Sequence, residues 1–217
     1  MKDVMLNVNA SLSVALYGIA GIGKSSCAMK MATDYLKAGK DVVWINADMH
    51  EDNLLELIKD TQFDVNYTLP GKLHIYTVDY AGVTIDVVKG ILEKIKDYVS
   101  KTGSSIGLIV IDNVGRNNTD VMEMLRARFQ GSGTSLLFTK RYVTGVDSSK
   151  TSRIVDYVYT INNDGSGYIK YGKYAMSILK NRSTTGLGIF TQVGPEKLEV
   201  KTSDGGSINV LLYPKEE

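Results

Sequence analysis

The chain has 217 residues, of which 43% are hydrophobic, so it can form one sizeable core but leaves little room for two full domains. Its 25 Lys and Arg residues against 24 Asp and Glu give a formal net charge of +1, which excludes a global field that attracts nucleic acid or membranes. A single cysteine, Cys27, excludes an internal disulfide, and the lack of any apolar run of about 20 residues excludes a membrane-spanning segment. We expect one domain over residues 1–217 and a cytoplasmic location.

Strand-like and helix-like patterns alternate from residue 13 to residue 139. Short apolar runs predict five buried strands, and apolar residues at helical spacing predict four helices between them. In chain order, these strands and helices are Ser13–Tyr17, Lys24–Ala38, Asp41–Asn46, Glu51–Gln62, Leu73–Val78, Thr84–Val99, Ile106–Ile111, Thr119–Phe129 and Ser135–Thr139. Apolar strands that alternate with helices predict an α/β fold, with a mostly parallel central sheet covered by helices on both faces.

The pattern changes after residue 139. Short strand candidates are now separated by Gly, Asn, Asp and Ser, which is typical of hairpins. They are Tyr157–Ile161, Tyr174–Lys180, Gly188–Gln192, Leu198–Lys201 and Ile208–Tyr213. We predict that residues 13–139 form the α/β core, that the polar residues 141–153 form a mobile loop, and that the rest of 140–217 extends the sheet with antiparallel hairpins.

The segment between the first strand and the first helix has the sequence GIAGIGKSS. It fits G-x-x-x-x-G-K-[ST] in full and has the strand-loop-helix context that this motif requires. Glycines let backbone N–H groups converge on a polyphosphate at a helix N-terminus, where the helix dipole favours negative charge. We predict that Lys24 reaches the β and γ phosphates of a nucleotide and that Ser25 binds Mg²⁺; a glycine-rich turn with an incidental lysine is the alternative. The expected nucleotide-binding residues are Gly18, Ile19, Ala20, Gly21, Ile22, Gly23, Lys24, Ser25 and Ser26.

A carboxylate is expected beside this loop. Asp112 follows the buried strand in the phrase IGLIVIDNV, a position suited to holding Mg²⁺ and its water shell; an ordinary strand-ending aspartate is the alternative. The residues from Asp112 to Gly115 also fit the D-x-x-G motif of a GTPase, but Tyr142 stands where a guanine-binding aspartate is needed. A small-molecule kinase also uses such a loop, although its arginine-rich lid is not visible in this sequence.

The phrase YAMSILKNRSTTGLGIFTQ, residues 174–192, resembles the Lys-Asn-Arg strand and Thr-Gly hairpin of RecA-superfamily ATPases. The resemblance is closest to the RadA/Sms branch and to DnaB-type helicase cores, and GIAGIGKSS is also similar to the RadA phrasing. It covers most of residues 13–200 and none of the accessory domains of those proteins, as expected of a phage or plasmid gene. It implies a RecA-like P-loop ATPase that uses ATP and Mg²⁺, forms a homo-oligomeric ring or filament, and acts on single-stranded DNA in replication or recombination.

The same resemblance implies further catalytic residues. Lys180 and Arg182 are two residues apart, so on a strand both project from one face, about 6 to 7 Å apart. In the family such cations reach the γ-phosphate of a neighbouring subunit, and a solvated basic edge is the alternative. The family also has a carboxylate after the second strand that orients the attacking water. Alignment of WINADMHED assigns this role to Asp48, with Glu51 as the alternative, unless Glu51 is only an acidic first turn of a helix.

Two loops of the family face DNA, and they correspond to residues 114–119 and 141–153. Where the family has Gln or His after the fifth strand, this chain has Lys140 and Arg141. The residues of the two loops that suit phosphate contact or base stacking are Arg116, Arg141, Tyr142, Lys150 and Arg153. Ordinary solvated loops are the alternative. The alternative functions are a nucleotide-dependent oligomeric switch without DNA activity and a small P-loop kinase.

Overall fold

The computed structural model describes residues 8–9, 11–61, 66–79, 83–115, 118–141, 151, 153–161, 166–169, 175–177 and 196–213. Within these residues the chain forms four α-helices and ten β-strands. The helices are α1 (Lys24–Lys37), α2 (Glu51–Asp60), α3 (Ile85–Thr102) and α4 (Thr119–Phe129). The strands are β1 (Ser13–Gly18), β2 (Asp41–Asn46), β3 (Thr68–Thr77), β4 (Ile106–Asp112), β5 (Ser135–Arg141), β6 (Tyr157–Ile161), β7 (Ser166–Ile169), β8 (Ala175–Ser177), β9 (Glu196–Lys201) and β10 (Ser207–Tyr213).

All of these strands belong to one sheet, in the order β8-β7-β6-β1-β5-β4-β2-β3-β10-β9. The neighbours from β6 across to β10 pair in parallel, whereas β7, β8 and β9 pair antiparallel with the strands beside them. Each of the first four strands is followed by a helix, which is the connection that parallel pairing requires. The predicted α/β fold with a mostly parallel sheet is confirmed.

The C-terminal part differs from the prediction of an antiparallel extension. β6 pairs parallel with β1, and β10 pairs parallel with β3 at the opposite side of the core. Only β7, β8 and β9 are antiparallel, and β7 was not predicted. A hairpin fixes the direction of its two strands relative to each other but does not decide how the pair adds to the sheet. The predicted strand at residues 188–192 lies outside the described residues.

Two hydrophobic clusters lie on the two faces of the sheet. One cluster joins α1 and α2 to one face, and the other joins α3 and α4 to the opposite face. Alternate residues of β1 contribute to each cluster, as the two-residue repeat of a strand requires: Val14 and Leu16 to the first, Ala15 and Tyr17 to the second. The prediction of helices on both faces is therefore confirmed. Within the described part of the chain, no helix is long and apolar enough to cross a membrane.

Candidate nucleotide-binding site

The loop between β1 and α1 has a course that its glycines make possible. Gly21 and Gly23 have φ angles of 80° and 96°, in the left-handed region that glycine enters without a steric cost. A Cβ atom added to Gly18 would lie 2.5 Å from Cγ2 of Ile22, well inside van der Waals contact. Glycine at these three positions is therefore needed for the chain to turn tightly from the end of β1 into α1.

The start of α1 differs from the starts of the other three described helices. Glu51, Asp86 and Asp120 lie in the first turns of α2, α3 and α4, where an acid interacts favourably with the helix dipole. The first turn of α1 has no acid and begins with Lys24. The Lys24 side chain is buried, and its ammonium donates to the carbonyl oxygen of Ile19 in the loop, at 3.0 Å. A lysine interacts unfavourably with the helix dipole at this position, and the negative charge of the neighbouring Asp112 offsets part of that effect.

Asp112 lies directly beside the first turn of α1. Its side chain is fully buried, and its Oδ1 atom accepts hydrogen bonds from the hydroxyls of Ser25 at 3.0 Å and Thr139 at 2.7 Å. Its Oδ2 atom is also buried and has no hydrogen-bond partner within the described residues. Burial raises the pKa of this carboxyl to about 6, although the hydrogen bonds from Thr139 and Ser25 and the charge of Lys24 act in the opposite direction. One acceptor of a buried carboxylate is thus left unused by the described protein groups.

The strand order explains why these three side chains meet. β5 lies between β1 and β4, and Thr139 of β5 is in register with Leu16 of β1. The carboxyl ends of parallel strands meet at one edge of the sheet, so the β1–α1 loop, Thr139 and Asp112 all lie at that edge. Ligands bind at this edge in open α/β sheets.

Asp48 reaches the same edge from the turn between β2 and α2. The side chain of Asn46 shapes this turn, because it donates to the Met49 carbonyl at 2.7 Å and accepts from the Met49 backbone N–H at 3.3 Å. Asp48 itself is exposed, and its Oδ1 atom accepts a hydrogen bond from the side-chain amide of Asn113 at 3.0 Å. The negative charge of Asp48 also contributes to raising the pKa of Asp112, since the two carboxyls are near neighbours.

The residues around Asp112 fit a magnesium ion that is shared with phosphates. Mg²⁺ prefers oxygen ligands and is usually held by one or two carboxylates together with phosphate oxygens and water. The Ser25 hydroxyl and the unused Oδ2 atom of Asp112 supply oxygens of this kind. Across the ranges that the structure describes, no group of three or more His, Cys, Asp and Glu side chains could hold a metal ion by itself.

Other predicted residues have different surroundings. Lys140 is buried, and its ammonium donates to Oγ1 of Thr151 at 3.3 Å, while the hydroxyl of Tyr17 donates to the same oxygen at 2.6 Å. Lys140 therefore connects β5 to the segment that begins at Thr151. Arg141 and Arg153 are exposed. Lys180, Arg182, Arg116, Tyr142 and Lys150 lie outside the described residues.

The first predicted DNA-facing loop, residues 114–119, is largely part of the fold where the structure describes it. Val114 is buried, and its backbone N–H donates to the Thr139 carbonyl at 2.9 Å. The Asn118 amide donates to the Val83 carbonyl at 2.7 Å, and Thr119 begins α4. These contacts hold the described residues of this segment against β5 and Val83, and the contact of the segment with DNA stays a prediction.

Two residues of the site, Thr139 and Asn113, were missed as functional candidates in the sequence. A polar residue that follows the apolar run Leu136–Phe138 is a detectable signal for Thr139. For Asn113 the signal is weaker, although asparagine is one of the few non-glycine residues that tolerate a left-handed backbone. Its φ angle is 74°, and it is the one non-glycine residue with a positive φ in the described part of the chain.

Comparison with known proteins does not assign the chain to a family. No family model matches the sequence, and no curated protein matches it either.

Proposed function

We propose that this chain is a RecA-like ATPase that binds ATP and Mg²⁺ in the β1–α1 loop. The observation that carries the proposal is the Asp112 carboxylate, which is fully buried beside the loop and has one oxygen without a described protein partner. Burying a charged oxygen without a partner is costly, so its retention here is explained best by a cation that binds with the nucleotide. Lys24 supports the same conclusion, because its ammonium and the N-terminus of α1 together place positive charge where phosphates bind in loops of this motif.

Each residue of the site has a defined part in this proposal. The backbone N–H groups of residues 18–26 and the ammonium of Lys24 bind the phosphates, while Ser25 and Asp112 supply oxygens to the metal. When bound, Mg²⁺ would offset the negative charge that develops on the phosphates. Thr139 holds the Asp112 carboxylate in place through its 2.7 Å hydrogen bond. Asp48, which is exposed at the same edge, orients the attacking water.

We further propose that the ATPase is a homo-oligomer that couples hydrolysis to binding, translocation or remodelling of single-stranded DNA. Support for this part comes from the sequence resemblance and from the exposed cations Arg141 and Arg153, which are available for phosphate contact. Lys180 and Arg182 are proposed to complete the site of a neighbouring copy.

The test is a steady-state ATPase assay with and without a single-stranded oligonucleotide. We expect Mg²⁺-dependent hydrolysis that DNA stimulates, and we expect Lys24→Ala to abolish it because the phosphates lose their fixed cation. Lys37→Ala, at the other end of α1, is the matched control and should leave hydrolysis unchanged. Hydrolysis that DNA does not affect would favour the nucleotide-dependent switch, transfer of label to a small molecule would favour the kinase, and absence of nucleotide binding would contradict the proposal altogether.

Arg182→Ala tests the shared site separately. This variant should bind nucleotide as the wild type does but lose hydrolysis, because the cation acts on the transition state. Mixing it with Lys24→Ala should restore part of the turnover at hybrid interfaces. If no mixture shows recovery, Arg182 does not act on a neighbouring copy.

A further inference from the structure

Asn113 connects Asp48 to the buried cluster of Ser25, Asp112 and Thr139 at the edge of the sheet. Its backbone N–H donates to Oγ1 of Thr139 at 2.7 Å, and the same hydroxyl donates to Asp112. Its side-chain amide donates to Oδ1 of Asp48 at 3.0 Å. One residue therefore contacts both the group that holds the buried carboxylate and the exposed carboxylate that follows β2.

The backbone of Asn113 is held in an unusual conformation at this point. A φ angle of 74° is disfavoured for residues with a Cβ atom, and such conformations persist where the surrounding structure imposes them. Here β4 ends at Asp112, and the chain makes a left-handed turn at Asn113. The next residue forms a second hydrogen bond to β5, from the Val114 N–H to the Thr139 carbonyl at 2.9 Å. The backbone of the turn is therefore held by hydrogen bonds from both Asn113 and Val114 to Thr139, and this restricts the position from which the Asn113 side chain extends.

The two partners of the amide bond differ in burial. Asn113 is buried, whereas Asp48 is exposed and can be solvated by water without the amide. The bond therefore contributes little to satisfying Asp48, and its main consequence is to restrict where that carboxylate lies. A carboxylate that orients a water molecule needs such a restriction, because small displacements of a catalytic group have large effects on rate.

We propose that Asn113 is a positioning residue, whose amide fixes the Asp48 carboxylate beside Asp112 so that it can orient the attacking water. This inference rests on the proposed ATPase function. The role of Asn113 depends on its side-chain hydrogen-bond donor and involves no proton transfer by Asn113 itself.

Three variants separate the amide from the backbone turn. Asn113→Gly removes the donor and accepts a φ of 74° without strain, so the turn is retained. Asn113→Asp keeps a residue type that tolerates the left-handed region but replaces the donor with a second carboxylate facing Asp48. Asp48→Asn removes the carboxylate that the amide is proposed to hold. Urea unfolding of each variant checks that the fold is intact.

The experiment measures kcat and KM for ATP in the wild type, the three variants and the Asp48→Asn/Asn113→Gly double variant. We expect Asn113→Gly to lower kcat by about 10- to 100-fold with KM changed by less than about twofold, as for residues that orient a reacting group. Asn113→Asp should lower kcat further, because the two carboxylates repel each other. Adding Asn113→Gly to Asp48→Asn should change kcat by less than about twofold, since the group to be held is already lost.

The outcomes distinguish this inference from the proposed function. If the wild type is active and Asn113→Gly leaves kcat unchanged, the positioning role is overturned and the ATPase proposal is intact. The same holds if Asn113→Gly lowers kcat equally in the wild-type and the Asp48→Asn backgrounds. Full activity of Asp48→Asn overturns both the positioning role of Asn113 and the proposed role of Asp48, while nucleotide binding and hydrolysis at the β1–α1 loop remain supported. A wild type that binds no ATP overturns the proposed function and the positioning role together.

Discussion

Asp112 and Asp41 are both buried aspartates of neighbouring strands in the sheet, but their surroundings differ. Asp41 begins β2, and each of its oxygens has a partner: Oδ1 accepts from the Lys72 backbone N–H at 2.9 Å, and Oδ2 lies 3.1 Å from Nε2 of His74. Asp112 ends β4, and the structure provides partners for Oδ1 only. One carboxylate is completely satisfied by described protein groups, whereas the other has an unused acceptor.

The Asp41 cluster is a structural network that joins several strands. The carboxylate can only accept, so Nε2 of His74 donates to it, and in a neutral imidazole Nδ1 then accepts from the Tyr213 hydroxyl at 3.1 Å. These bonds connect β2, β3 and β10, and the His74 ring also packs in a T-shaped arrangement with the Tyr98 ring of α3, with centroids 4.6 Å apart. This fold can therefore satisfy a buried aspartate fully, so the unused acceptor of Asp112 is a specific feature of the candidate site at the carboxyl edge of the sheet.

The largest expected effect is on stability and comes from Asp112→Asn. The folded protein binds the Asp112 proton more tightly than the unfolded chain does, because the pKa is about 6 in the fold and 3.8 in the reference state. The nucleotide-free protein should therefore lose stability as pH rises from about 4 to about 6, and this loss persists at pH 7. Asparagine does not titrate, so between pH 4 and pH 7 the difference in the free energy of unfolding should change in favour of the variant by roughly 2 to 3 kcal/mol.

Urea unfolding of both proteins between pH 4 and pH 7 measures this difference. The difference in the free energy of unfolding between the variant and the wild type should increase with rising pH. The contributions of other titrating groups are the same in both proteins and therefore cancel. A stability difference that does not change between pH 4 and pH 7 would contradict the assignment of a buried, incompletely satisfied carboxylate.

The same substitution at Asp41 should have the opposite sign. In Asp41→Asn the charge-assisted bond from His74 is replaced by a weaker neutral one, in which the side-chain NH₂ donates to Nε2 and the Nδ1–H of His74 donates to the Tyr213 hydroxyl. We expect the free energy of unfolding to fall by about 1 to 2 kcal/mol while ATP hydrolysis stays unchanged. Loss of hydrolysis without loss of stability would show that the Asp41 cluster is more than structural.

A smaller effect is expected at the Tyr17 hydroxyl, which belongs to a third polar cluster. Tyr17→Phe removes the 2.6 Å hydrogen bond to Thr151 but leaves the bond from Lys140 to the same oxygen. The free energy of unfolding should fall by about 1 kcal/mol, and the affinity for nucleotide should not change. A clear loss of nucleotide affinity would mean that this cluster affects the conformation of the β1–α1 loop.

The sequence predicted the core of the fold and the main groups of the site. The helix at Lys24 and the carboxylate at Asp112 were found because each lies in a local pattern: a complete loop motif in one case and an apolar strand ending in an acid in the other. The parallel pairing of β10 with β3 was not found, because no local pattern records which edge a distant hairpin joins. Thr139 and Asn113 were missed for a similar reason, since their roles arise from contacts between β4, β5 and the turn after β2.

We propose that Lys24, Ser25 and Asp112 form one site for a triphosphate and Mg²⁺, and the decisive experiment is a titration with a non-hydrolysable ATP analogue. The wild type should bind the analogue at least about tenfold more tightly with Mg²⁺ than with a chelator, a difference of about 1.4 kcal/mol or more. Asp112→Asn should lose most of this dependence, and Lys24→Ala should bind weakly under both conditions. Equal affinity of all three proteins, with and without Mg²⁺, would contradict the account.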